Sequence, residues 1–265
     1  MIQLVQPLTL TASDVKALQD LQAEVDAAAD YAAQVLLADK KWNAKNQPLF
    51  QRVRDKLEVL SPGARRCGYC EDSLADEIEH IRPKNWFPNQ AFNPDNYLFA
   101  CGPCNSPKGN AYAVVSPTGQ LAAAIRTAKT GILPPPAGQE ALLHPRYDNP
   151  QAFLALDLAN TFYFKPQAGL SAADQARANY TIKVLRLNYK DPLVRARREA
   201  FKDFVARLKA YYLAEKEGVT NAELKQQREE ILKKQHISVW REMQRQATTP
   251  LLSKLFALVP KADHW

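Results

Sequence analysis

Three stretches decide how this 265-residue chain is read: CGYC at 67–70, EIEHIRPK at 77–84 and DNYLFACGPCNSPKGN at 95–110. They hold all four cysteines of the chain, as two CxxC pairs separated by 30 residues. A CxxC turn puts two thiolates on one side of a tight loop, so Cys67, Cys70, Cys101 and Cys104 can close a tetrahedral sulfur cage. Zn²⁺ suits that cage because it imposes no geometry of its own and favours thiolate. Four protein ligands leave no open position, so this zinc is expected to be structural and to contribute folding free energy. A redox pair or an iron–sulfur cluster is the alternative reading of the same spacing.

Between the cysteine pairs, EIEH and NYLFA read as two strands of a hairpin that turns through PNQAFNPDN. The second CxxC then opens a helix expected to run through NSPKGNAYAVV. Strand, strand and helix would share a zinc at their base. The residue types in this frame suit phosphodiester hydrolysis, which needs a base for water and a cation for the charge that builds at phosphorus. His80 is the candidate base. Glu79 and the amide oxygen of Asn105 are hard ligands that would hold one Mg²⁺ or Mn²⁺ and leave room for water and a phosphate oxygen. Lys108, one turn beyond Asn105, can face the phosphate, and Arg82 and Lys84 can touch the backbone. The plainer reading makes Glu79–His80 a buttress of the zinc site, Asn105 a helix cap, and Arg82 and Lys84 solvated charges.

This pattern resembles the HNH endonucleases, or ββα-metal nucleases. The resemblance rests on Glu79-His80, Asn96 and Asn105, set between CGYC and CGPCNSPKG. It implies that His80 is the general base, that Glu79 and Asn105 ligate the catalytic cation, and that Asn96 orients the base and pins the loop. The family more often carries Asp where Glu79 stands. It also implies a hairpin and helix pressed into the minor groove of DNA, reading backbone rather than bases. The stretches RRCGYCE, LLHPRYDNP and YTIKVLRLNYKDPLVRARREAF are similar to the HNH nuclease subunit of Septu-type and retron-linked anti-phage systems. That similarity implies a partner, an SMC-like or ABC-type ATPase.

The remainder of the chain frames this core. A formal charge of +7 and a pI near 9.2 favour a polyanionic partner, although alone they fit many proteins that bind no nucleic acid. Only 9 glycines among abundant Ala, Leu, Lys and Gln predict a mainly helical chain. Leu18, Leu21, Val25, Ala28, Ala32, Val35 and Leu36 predict one helix over residues 11–42, capped by Ser13 or Asp14. Phe50, Val53 and Leu57 predict a second that ends at SPGARR. Residues 131–150 form a Pro-rich connector, and FLALDLANTFYFKP predicts a strand pair. Ser171 caps the next helix, a long amphipathic helix follows with Gly218 as its stop, and residues 221–246 predict another. His144 reads as a packed loop residue, His236 and His264 as surface residues, and Arg195 and Arg198 as one exposed face. Trp86 and Phe87 are expected to pack the hairpin.

The expected class is mainly α with a small α+β core of the ββα-metal type. The expected regions are an N-terminal helical region (1–60), the zinc-stapled core (61–125), the connector (126–170) and a C-terminal helical region (171–265). No run of about 18 apolar residues occurs and the N-terminus lacks a basic, apolar leader, so a cytoplasmic protein is expected. The expected function is a metal-dependent DNA endonuclease of low sequence specificity. The alternatives are an RNA nuclease of the same type and a non-catalytic zinc module that binds nucleic acid or a partner.

Overall fold

A computed structural model describes residues 1–61, 65–127, 130–189 and 191–265. About half the chain is helical and the sheets are small, with four clustered cysteines at the centre. The N-terminal third holds α1 (Ala12–Asp26), α2 (Tyr31–Asn43) and α3 (Gln47–Leu60). The single helix expected over residues 11–42 is thus two. Asp30 breaks it by leaving the helical conformation and accepting a hydrogen bond from the Ala33 amide. α1 is capped by Thr11, whose hydroxyl accepts from the Asp14 amide, rather than by Ser13 or Asp14. The break also turns Leu36 outward, where it is exposed instead of joining the core stripe. α3 ends at Leu60 as expected, and residues 62–64 of the SPGARR stretch lie outside the described residues.

β1 (Glu77–His80) pairs antiparallel with β2 (Tyr97–Ala100), placing Glu79 opposite Leu98 and His80 opposite Tyr97. α4 (Gly102–Lys108) follows at once. It stops at Gly109, whose φ of +44° suits glycine. The helix therefore does not run on through AYAVV as the sequence predicted. Ala113–Val115 is instead the central strand β3 of a three-stranded sheet, flanked by β4 (Leu121–Ala123) and β5 (Gln139–Glu140). Its β-branched residues and the preceding Gly-Asn favour that outcome. After the short helix α5 (Pro150–Phe153), the predicted strand pair forms as β6 (Leu154–Leu156) and β7 (Phe164–Pro166).

The C-terminal region holds α6 (Ala172–Val184), α7 (Asp191–Lys216), α8 (Asn221–Leu232), α9 (Ile237–Arg245) and the short α10 (Ser253–Phe256). Ser171 caps α6 by accepting from the Asp174 amide, as expected. Gly218, with φ of +77°, follows the end of α7. The helix predicted over 221–246 is interrupted at His236, a non-glycine residue in the left-handed region with φ of +57°.

The β1–β2 hairpin is covered on both faces. Ile78, Tyr97 and Phe99 face the N-terminal helices, packing with Leu18, Val25, Phe50, Val53 and Leu57. Leu98 and Ala100 face the cysteines and the C-terminal helices, in a core that includes Leu143, Phe204, Leu208 and Trp240. This two-sided cover explains why NYLFA is a continuous apolar run instead of an alternating one. Trp86 and Phe87 pack with Tyr112 and Val114 beside the three-stranded sheet, so their role in the fold is the packing one.

Candidate active site and metal centre

The first CxxC is folded by its own backbone. The Cys67 carbonyl accepts the Glu71 amide at 2.8 Å, and the Gly68 amide donates to Phe99 of β2 at 2.9 Å. The second CxxC is the start of α4, where the Cys101 carbonyl accepts the amides of Cys104 and Asn105. Together these turns bring four buried sulfurs within 4.8 Å of one another, with Cys70 and Cys101 3.8 Å apart. A tetrahedral Zn²⁺ with bonds of about 2.3 Å would set its sulfurs about 3.8 Å apart, so the donor set fits zinc. Hydrogen bonding among the thiols pulls Cys70 and Cys101 down and pushes Cys104 up, while burial pushes Cys67 up. Four thiols sharing protons in this way form a site that a dication would relieve.

A buried cation stands near the cage. Arg197 of α7 is fully buried and donates to the carbonyls of Leu187 at 2.7 Å and Phe162 at 3.2 Å. Burial lowers its pKa to about 10, against the opposing pull of Glu71 and Cys70. Arg195 and Arg198, expected as an exposed face, are exposed.

The predicted catalytic residues fall on two sides of the hairpin. Adjacent strand residues point to opposite faces, so Glu79 points toward α4 and His80 toward the N-terminal helices. Glu79 is buried and meets Lys108, whose Nζ lies 2.5 Å from Oε1 and also donates to the His80 carbonyl at 2.8 Å. Burial raises the Glu79 pKa, and the Lys108 charge pulls it back. Lys108 is itself buried, so in this structure it faces Glu79 and not an open surface. Asn105 donates its amide to Glu77 at 2.6 Å, which leaves its side-chain oxygen available as a ligand.

His80 is buried, with its ring 4.2 Å from Trp42 and 5.4 Å from Tyr97. Its Nε2 lies 2.8 Å from the Ala91 carbonyl. A carbonyl can only accept, so Nε2 carries the proton and Nδ1 the lone pair. Burial drives the His80 pKa down to about 3, so the ring is neutral at physiological pH. Asn96 ties the loop after β1 to the return strand. Its oxygen accepts the Arg82 amide at 2.7 Å, and its amide donates to the carbonyls of Arg82 and Gln90. Arg82 and Lys84 are half-buried and paired, with Glu140 and Asp39 respectively, each at 2.6 Å.

Several participants were not anticipated. Glu77 lies two residues before Glu79 and therefore on the same strand face, a signal present in the alternation of EIEH. His236, expected at the surface, is fully buried and lies 3.1 Å from Asp72, just after the first CxxC. No local pattern could reveal a partner 164 residues away. His264 is exposed as expected. His144 is buried and stacked on Tyr147 at 4.3 Å, and its Nδ1 accepts the Arg146 amide at 3.3 Å. Burial takes its pKa to about 3.

No protein-family profile matches the chain. A stretch of 59 residues is 39% identical to the Septu protein PtuB of Bacillus thuringiensis, covering 20% of this chain and 23% of that protein. The chain thus matches less than a quarter of that relative's length. No helix among the described residues is long and apolar enough to cross a membrane.

Proposed function

We propose that the chain is a metal-dependent endonuclease of the HNH type that hydrolyses DNA phosphodiesters with low sequence specificity. The observation that carries this reading is the tautomer of His80. With Nε2–H given to Ala91, Nδ1 is a free base beside the hairpin end that bears Glu79. Water attacks phosphorus while Nδ1 takes its proton, a P–O bond forms, and the bond to the 3′-oxygen breaks. The approach of a phosphodiester anion raises the proton affinity of a ring that burial has lowered. Glu79 and the Asn105 oxygen would hold Mg²⁺ or Mn²⁺, which when bound stabilises charge at phosphorus and at the leaving oxygen. Lys108 holds the Glu79 carboxylate in place in the free protein. Asn96 fixes the loop that carries Arg82.

The partial likeness to a Septu protein supports a role in anti-phage defence, beside an SMC-like or ABC-type ATPase. Zinc in the Cys67, Cys70, Cys101 and Cys104 cage fits the same reading as a structural frame. A second reading is favoured by one observation: the Glu79–Lys108 pair is buried, as a structural buttress would be. In that case the hairpin is part of a non-catalytic zinc module.

The test is supercoiled plasmid incubated with Mg²⁺ or Mn²⁺, with EDTA, and with the His80→Ala protein. Metal-dependent nicking lost in the variant is the expected result. Full activity in His80→Ala overturns the assignment of the base. Inactivity on DNA and RNA, even with the ATPase present and zinc bound, selects the module.

A further inference from the structure

The N-terminal helices place two unpaired cations next to His80. Lys45, between α2 and α3, is half-buried, with Nζ 5.1 Å from the Trp42 ring centroid and donating to the Trp42 carbonyl at 3.3 Å. The same indole packs against the His80 ring. Arg54 follows Phe50 by four residues, so it shares a face of α3 with the ring that packs on Trp42 at 5.0 Å. Its Nε is buried with no acceptor among the described residues. Neither Lys45 nor Arg54 has a carboxylate partner among those residues. The nearby Lys84, by contrast, is held by Asp39.

The charges are close enough to oppose one another. Burial lowers the Lys45 pKa, and the charges of Arg54 and Lys84 lower it further. Those of Lys84 and Lys45 also reach His80. Half-buried like charges without counter-ions are unfavourable until an anion joins them. A guanidinium and an ammonium together match a phosphate: the first offers a planar fork and the second a point charge.

We propose that Lys45 and Arg54 bind a backbone phosphate of a nucleic acid, next to the phosphodiester cut at His80, so that the N-terminal helices form one wall of the substrate groove. This rests on the nuclease reading for its substrate class. DNA and RNA present the same group, and the contact reads no sequence.

The test is binding rather than cleavage. The His80→Ala protein is titrated, without added divalent metal, against a labelled 20-base-pair DNA duplex and a 20-nucleotide RNA over a range of salt. Lys45→Gln/Arg54→Gln in that background should weaken binding and flatten the slope of log K against log salt by about 1.8, at about 0.9 per lost phosphate contact. Lys45→Arg should keep the slope. The charge-matched control Lys16→Gln/Lys202→Gln removes two exposed, ion-paired cations and should leave it unchanged. The polymer whose slope responds is the source of the phosphate. Zinc content and thermal midpoint check the fold. If the double variant fails that check, Lys45→Gln alone should flatten the slope by about 0.9. An unchanged slope, equal flattening by the control, or no binding of either polymer overturns the site. Plasmid nicking by the wild-type protein is scored separately, so the site can fail while the nuclease reading stands.

Discussion

Lys108 Nζ lies 2.5 Å from Glu79 Oε1, with both side chains buried between β1 and α4. Removing one member of such a pair strands the other charge in the interior, at a cost of about 3–5 kcal/mol. Lys108→Met should therefore lower stability by that order, and the loss should depend on pH. Glu79 has a folded pKa raised above 4.5, chiefly by burial, with Lys108 opposing the rise. A carboxyl with a raised folded pKa favours folding below its unfolded pKa, and this contribution is lost as pH rises through the folded value. Losing Lys108 moves that folded value higher. The gap between variant and wild type should thus widen toward neutral pH and narrow near pH 4.5, as read from urea midpoints. A gap independent of pH would mean that Glu79 is not the group left stranded.

The cage belongs to the same core as the C-terminal helices, because Cys67, Cys70, Cys101 and Cys104 pack with Leu98, Leu143, Phe204 and Trp240. Zinc loss should therefore be a global event. The purified protein should carry about one zinc per chain, and Cys104→Ser should abolish that content. The free energy of a structural zinc, about 10–16 kcal/mol in small zinc modules, rivals the whole stability of a typical domain. Chelation should then red-shift the tryptophan emission as buried Trp240 reaches water. Atomic emission together with fluorescence makes the check. Intact tertiary structure after complete zinc removal would show that the sulfurs pack adequately without a metal.

The parts of this architecture legible in the sequence are those written in local spacing. Two CxxC turns predict the cage, and EIEH and NYLFA predict the hairpin, because strand residues and zinc knuckles depend on near neighbours. The split at Asp30 was harder to see, since the alanines around it favour helix on either side and the cap is a single side chain. The end of α4 was signalled by Gly109-Asn110, but the lysine and alanine around it suggested more helix. What could not be read were the long-range pairs. Lys108 finds Glu79 and His236 finds Asp72 only once the chain is folded, so residues that looked available for substrate or solvent are committed to the interior. The same holds for Arg82 and Lys84, whose partners Glu140 and Asp39 lie on distant segments.

Two histidines should make the protein sensitive to acid. Burial holds His80 and His144 at about 3 in the folded state, against about 6.5 when unfolded. For a depressed histidine, the unfolded chain binds the proton first, so stability is full above pH 6.5 and falls as pH drops toward 3. In the lower part of that window the pair contributes up to about 2.7 kcal/mol per pH unit. Both rings should remain neutral by NMR at pH 5.5. His144→Gln should reduce the acid slope of the unfolding free energy by about half of that contribution. An imidazole signal from either residue titrating near 6.5 would contradict the burial assigned to it.

Gly68 and Leu98 set how closely the first knuckle approaches the hairpin. A Cβ at Gly68 would lie 2.6 Å from Leu98 Cδ1 and 3.0 Å from its Cγ. Leu98 is fully buried, so it has little room to move, and it stands opposite Glu79 in the β1–β2 register. Gly68→Ala should overpack this contact at a cost of about 1–3 kcal/mol, and it should weaken zinc retention because the displaced turn carries Cys67 and Cys70. Leu98→Ala alone should cost about 2–5 kcal/mol for its cavity. The two changes should not add: the shortened side chain leaves space for the new methyl, giving a favourable coupling of about 0.5–3 kcal/mol. A double-mutant cycle in urea, with zinc content measured on each protein, reads this directly. Strict additivity would place the strain of Gly68→Ala in the backbone of the turn. Recovery of both stability and zinc in the double variant would locate it at Leu98 and make that one side chain the spacer between the cage and the strand bearing Glu79 and His80.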